Sequence, residues 1–208
     1  MRWIRLAAAS AALAFAGLAL AATDPRELAR HQASGDVRQT AEWSIGSGDA
    51  RGRPFFVVDK KAARLFVFAA SGRLLASTPV LLGSMPGDQG TPGVGERAQT
   101  GELRPEDRTT PAGRYVAHPG RNLQGEHVAW IDYEAALAIH RLRPGASYAA
   151  RAARLESSTP DQRRVSLGCI IVPVAFYLDV VQPIVERRGA VVYVLPETVP
   201  AREFFMAG

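Results

Sequence analysis

The chain has 208 residues, 47% of them hydrophobic, and carries 25 Lys and Arg against 20 Asp and Glu for a formal net charge of +5. That is enough for one ordinary domain with a true core; the basic excess is too small and too scattered to form a nucleic-acid-binding face. A single cysteine, Cys169, excludes an intramolecular disulfide framework.

In chain order, Arg2 and Arg5 precede an apolar run from about Leu6 to Leu20 and a small-residue site, Ala19-Leu20-Ala21. This is the three-part pattern of a secretory leader, placed at residues 1–21. The run is shorter than the roughly 20 residues needed to span a bilayer, and no second one follows. An uncleaved N-terminal anchor is the alternative. No cysteine adjoins the cleavage site, so a lipoprotein is not expected. The expectation is an exported soluble protein of the periplasm or cell envelope, a monomer, with no stable membrane insertion after leader removal. Taking Arg2 and Arg5 away with the leader leaves 23 basic against 20 acidic residues, a net of +3.

Residues 22–53 are expected to hold a short helix and a linker. Asp24 and Pro25 supply an N-cap and first-turn proline for the segment RELARHQAS, with Gly35 past its end. The polar, Gly-rich stretch 36–53 is assigned as linker. The main domain is placed at 54–196, with a C-terminal tail at 197–208 that packs back through Phe204 and Phe205.

Within 54–196, short β-rich runs bounded by Gly, Pro and Asp predict strands at 55–59, 64–68, 73–82, 114–118, 127–132, 136–140, 169–173 and 190–195. The first three form a meander. Phe176, Val180, Val181, Ile184 and Val185 recur at helical spacing, and Pro183 should split or kink that helix. The fold class is therefore mostly β (α+β), with one main helix near the C-terminal end. Two connections, 83–113 and 141–165, are long for a compact domain. The first lacks the Gly-Lys-Ser/Thr of a phosphate loop and is expected to be a mobile flap.

The chemistry centres on Ser166-Leu167-Gly168-Cys169. A buried cysteine commonly serves as a small apolar filler. Here it follows a Ser-x-Gly turn, where glycine permits close approach and the local backbone N–H groups can point at an oxyanion. An oxidising compartment also selects against idle thiols. His140 ends an apolar strand before a long loop, so it can meet Cys169 as a base to a nucleophile. Of the other histidines, His31 belongs to the N-terminal helix, and His118 and His127 are read as surface or hydrogen-bonding residues. Their scatter argues against a metal site.

The segments TPAGRY (110–115), the strand ending in His140, SLGCIIVP (166–173) and the opening FFVVDKKAARLFVFAASGRLLASTPVLLG (55–83) resemble, in order, the YkuD-like L,D-transpeptidase catalytic domain family. The resemblance covers roughly Pro54 to Pro196. It implies a β-sandwich-type catalytic fold acting on peptidoglycan stem peptides, without metal or organic cofactor. It implies Cys169 as nucleophile, His140 as base, and Ser166 and Gly168 as the turn that presents the thiol. Acyl transfer from the third, diamino residue to an amine acceptor makes a cross-link; transfer to water makes an L,D-carboxypeptidase. Two positions depart from the family: Leu167 stands where His is usual, and Ile171 where Asn or Arg is usual. The 29 positions from His140 to Cys169 also exceed the common interval, so 141–165 looks like an insertion.

Arg141, Arg143, Arg163 and Arg164 flank the two candidate residues, with Arg141 and Arg164 taken as candidates for binding stem-peptide carboxylates. Trp130 and Tyr133 are expected in core or rim packing rather than in substrate stacking. A papain-like peptidase normally places Cys before His, the reverse of the order here. A penicillin-binding protein needs Ser-x-x-Lys, which neither Lys60 nor Lys61 completes. A non-catalytic peptidoglycan-binding relative is the main rival, and a redox sensor lacks a resolving cysteine.

Overall fold

The computed structural model describes residues 24–207, so the leader at 1–21 lies outside the described residues. Asp24 caps α1 (Pro25–Arg30), accepting from the Arg26 N–H, and Ser34 caps α2 (Gly35–Ser47). The segment expected to be linker is thus largely helical. Its polar composition hides a buried face of Val37, Thr40, Ala41 and Ser44, and Gly48 ends the helix in the left-handed conformation.

The strands are β1 (Phe55–Asp59), β2 (Arg64–Phe68), β3 (Leu74–Pro79), β4 (Leu82–Gly83), β5 (Gly113–Arg121), β6 (His127–Asp132), β7 (Leu137–Arg141), β8 (Arg164–Ser166), β9 (Ile170–Val172) and β10 (Ala190–Val194). Eight form one sheet in the order β3-β2-β1-β10-β5-β6-β7-β9, and β4 pairs with β8. The single strand expected over 73–82 breaks after Pro79, which lacks the N–H to continue a ladder. Val80 then donates to the Ala63 carbonyl, and Leu81 bridges to Ile171.

β5 divides the sheet into two layers. Its residues 113–117 pair with β10, and its residues 118–121 pair with β6. The chain so passes from one layer to the other, as strands do at the corners of sandwiches. Alternate residues of both layers meet in one apolar core, among them Phe56, Val58, Leu65, Val67, Ile139, Ile170 and Val192. Tyr177, Val181 and Val185 join it from the helical run α5 (Val174–Phe176), a π-turn (Tyr177–Val181) and α6 (Gln182–Arg188). The Gln182 N–H reaches back to the Tyr177 carbonyl, so the widened turn lies directly before Pro183, where a helix must give way.

A second core covers the outer face of the first layer, where Val37 and Ala41 of α2 pack on Phe55, Val57 and Tyr193. α7 (Ala201–Phe205) closes it. Phe205 stacks on Trp43 at 6.5 Å and meets Tyr193 edge-on at 5.7 Å, whereas Phe204 stays largely exposed. Among the described residues, no helix is long and apolar enough to cross a membrane.

Both long connections are structured. The first carries α3 (Val94–Thr100) and a 3-10 turn (Pro105–Asp107), and the second carries α4 (Tyr148–Glu156) and a 3-10 turn (Pro160–Arg163). In place of the expected mobile flap, the first is tied down at buried Asp107, which binds Arg97 Nε at 2.7 Å, the Arg104 backbone N–H at 2.9 Å and the Thr91 hydroxyl. Hydrogen bonds from Arg97 and Arg104 hold the Asp107 carboxyl well below its ordinary range. Gly95 of α3 lies so close to the Glu134 carbonyl that a Cβ would fall 1.8 Å from it, so only glycine lets this loop dock on the β6–β7 turn.

Candidate active site

His140 and Cys169 come together through strand register. β7 and β9 run parallel with Ile139 opposite Ile170 and His140 opposite Ile171. Cys169 immediately precedes β9, one residue from this register, beside Ala138. Side chains alternate across a sheet, so Ile139, Ile170 and Val172 enter the inter-layer core while Ala138, His140, Leu142, Cys169 and Ile171 share the outer face. The same alternation brings Trp130, paired with Ala138, onto that face. Trp130 is half-buried and packs edge-on against Tyr133 at 5.2 Å.

The turn before Cys169 is locked through its carbonyls. Ser166 Oγ donates to the Cys169 carbonyl at 2.6 Å and accepts from the Gly168 N–H at 3.1 Å. The Ser166 carbonyl accepts from the Ser84 N–H at 3.0 Å. Thr110 Oγ1 donates to the Gly168 carbonyl at 2.7 Å while accepting from the Gly83 N–H at 2.9 Å. Gly168 has φ +126°, and a Cβ there would sit 3.1 Å from the Thr109 carbonyl, so conformation and space both demand glycine. Because the Gly168 N–H is spent on Ser166, the Cys169 N–H is the turn's remaining candidate donor to an oxyanion. Ser166 and Gly168 were expected at this turn; Thr110 was not, although it opens TPAGRY.

The His140 ring is oriented by its backbone neighbour, with Nδ1 2.8 Å from the Arg141 carbonyl. Nδ1 must therefore carry the proton, which leaves Nε2 as a base. Burial, then the charge of Arg143, pulls the His140 pKa down to about 3; the Arg141 carbonyl opposes this and Arg151 adds to it. Cys169 is partly exposed as a residue, while its sulfur packs inward and donates to the Ala136 carbonyl at 3.5 Å. Ala136 is held at φ +52°, unusual for a residue other than glycine. Burial pushes the thiol above its ordinary pKa, opposed by the Ala138 backbone and by Arg143. Burial thus favours the neutral form of both groups.

The two arginine candidates are otherwise engaged. Arg164 donates to Glu197 Oε1 at 2.8 Å and to the Lys60 carbonyl at 3.2 Å, with its side chain 11% exposed. It belongs to a buried ionic cluster in which Lys60 Nζ meets Asp88 Oδ1 at 2.8 Å and Glu197 Oε1 at 3.5 Å. Strand alternation turns Arg141 to the face opposite His140, where it pairs with Glu126 at 2.9 Å. Arg163 is buried on the carbonyls of Ser157, Ala62 and Ala63. Among the remaining histidines, His31 Nδ1 lies 2.9 Å from Ser77 Oγ, His127 Nδ1 lies 2.8 Å from the Tyr177 hydroxyl, and His118 is exposed. Among the described residues, no group of three or more His, Cys, Asp or Glu side chains is arranged to hold a metal ion.

Leu167 and Ile171 have different surroundings. Leu167 is 58% exposed at the tip of the turn. Ile171 is buried with Leu81, Leu142 and Leu155, the last from α4, and Ala152 of the same helix packs against them. An apolar residue at 171 thus serves as the seat on which α4 docks.

No family model matches the chain, and no curated protein matches it significantly. Among solved structures, it is similar to the catalytic domain of an L,D-transpeptidase from E. faecium determined by NMR, with 16% identity, 68% of this chain and 98% of that one covered, and a TM-score of 0.37.

Proposed function

We propose that the protein is an exported cysteine acyltransferase of the L,D-transpeptidase type, acting on peptidoglycan stem peptides in the periplasm or cell envelope. The observation that carries this reading is the β7–β9 register. It sets Cys169 and His140 on one face, with His140 Nδ1 fixed on a carbonyl and Nε2 available.

In the proposed reaction, His140 Nε2 takes the Cys169 proton as sulfur attacks the carbonyl carbon at the L-centre of the diamino residue. The Cys169 N–H stabilises the resulting oxyanion. The carbon–nitrogen bond then breaks, the imidazolium returns its proton to the departing amine, and a free D-amino acid leaves behind a thioester. An acceptor amine attacks that thioester and gives a proton to His140. The thiolate departs and recovers the proton, so the products are a new amide and the resting thiol.

The test is mass spectrometry of the protein incubated with a disaccharide tetrapeptide, wild type beside Cys169→Ala and His140→Ala. The expected result is release of the terminal D-residue with a Cys169-dependent adduct or dimer. A shortened monomer without dimer would make water the acceptor. No release from folded wild-type protein would overturn the enzymatic reading in favour of a peptidoglycan-binding role.

A further inference from the structure

The Gly168 carbonyl and the Cys169 N–H are two ends of one peptide unit. That unit is planar and, like the others among the described residues, trans, so its N–H points away from its C=O. Whatever fixes the carbonyl therefore aims the N–H. The carbonyl is fixed by buried Thr110, whose Oγ1 donates to it at 2.7 Å. A hydroxyl has a single proton, and Thr110 Oγ1 also accepts from the Gly83 N–H at 2.9 Å, so two backbone partners set its direction. Thr110 is itself held in place. Pro111 restricts its backbone to extended conformations, and its β-branched side chain has few rotamers. Its carbonyl accepts from Lys60 Nζ at 3.0 Å, and Lys60 is in turn held by Asp88 at 2.8 Å, on which the Glu197 and Thr198 N–H groups close. No link in this series depends on a substrate. On the other side of Cys169, Ser166 Oγ donates to the Cys169 carbonyl, so both peptide units flanking the Cys169 Cα are pinned.

We infer that Thr110 is a positioning residue for acyl transfer: through the Gly168 carbonyl it aims the Cys169 N–H at the oxyanion before a substrate arrives. The hydrogen bond to the carbonyl also polarises the peptide unit and strengthens its N–H as a donor. This role rests on the acyltransferase reading, because the oxyanion forms only when Cys169 attacks a carbonyl.

The test compares two reactions of Cys169 that share a thiolate and differ in their need for an oxyanion donor. Acylation by 4-nitrophenyl acetate passes through a tetrahedral oxyanion, expels 4-nitrophenolate and leaves a thioester. Alkylation by iodoacetamide displaces iodide at a saturated carbon and forms no oxyanion. The ratio of the two rates cancels the thiolate fraction. In wild-type protein this ratio should exceed that of N-acetylcysteine amide by about a hundredfold, the scale of one oxyanion donor. In Thr110→Val, which keeps the shape and loses the hydroxyl, it should fall about tenfold, less than outright loss of a donor costs, and Thr110→Ser should restore it. Release of the D-residue from the disaccharide tetrapeptide should lose kcat in Thr110→Val with KM unchanged. A wild-type ratio no greater than that of the small thiol would overturn the role without any variant having to fold. Equal slowing of acylation and alkylation in folded Thr110→Val would also overturn it, leaving Thr110 as a support of the turn only. A raised ratio that falls in Thr110→Val, in wild-type protein that releases no D-residue, would keep the role of Thr110 and overturn the stem-peptide reading.

Discussion

The two long connections are held to the same body by opposite means. The first, residues 84–112, is fixed by buried charge. Asp107 gathers two guanidiniums and a hydroxyl, and Asp88 accepts from Lys60, Thr198 and the backbone N–H groups of Glu197 and Thr198. The second, residues 142–163, is held by a small apolar seat under α4 and by Arg163 on backbone carbonyls. Charge is directional and places Thr110 accurately under the cysteine turn. Apolar packing under α4 tolerates more variation in how that helix is seated.

The largest expected effect comes from breaking the ionic anchor. Lys60 is buried, and its Nζ donates to Gly87 O, Asp88 Oδ1 and Thr110 O. Lys60→Met leaves Asp88 without its cation and should cost about 3–5 kcal/mol, the range for an orphaned buried charge, measured by urea unfolding. A loss below about 1 kcal/mol would mean that charge does not fix this connection.

A smaller and local effect is expected for Leu155→Ala. Cavity formation in the α4 seat should cost about 2–3 kcal/mol. Hydrogen exchange should rise across 142–163 and remain unchanged across 84–112. Equal loosening of both connections would erase the distinction between them.

The most gradual effect is a pH dependence at the site. His140 is buried neutral with a depressed pKa, so the unfolded chain takes up a proton near the ordinary imidazole value of about 6.5 while the folded chain does not. Its contribution to stability is fully present above that value and declines as pH falls toward about 3. The slope approaches about 1.4 kcal/mol per pH unit. His140→Gln should remove this slope from the stability profile measured between pH 7 and 4. An unchanged profile would show that the imidazole is not buried neutral.

The strands were legible because β-branched and aromatic runs between Gly and Pro announce themselves, and all of β1, β2, β6 and β10 fall within the expected segments. α2 was not, because its buried face includes Thr40 and Ser44, whose polarity is satisfied or sheltered only in three dimensions: Ser44 Oγ lies 2.9 Å from the Tyr193 hydroxyl. The site was half legible. That His140 and Cys169 share one face of the sheet follows from a strand end and a turn, both local patterns. Thr110 and the Ala136 carbonyl reach the cysteine turn from two separate connections, and no local pattern encodes such a meeting. The arginines nearest in sequence, Arg141 and Arg164, misled for the same reason, since strand alternation and an ion pair remove them.

The place of β10 has a consequence for how the chain can assemble. In the strand order it stands between β3-β2-β1 and β5-β6-β7-β9, pairing parallel to β1 and antiparallel to β5. The strand that joins these ribbons is the last strand of the described chain, and its partner β1 is the first. Closure is therefore a late, long-range event, the kind that slows folding through loop entropy. A chain stopped before Ala190 would hold two ribbons with no strand between them in the sheet, and the core they share would lack Ala190, Val192 and Val194.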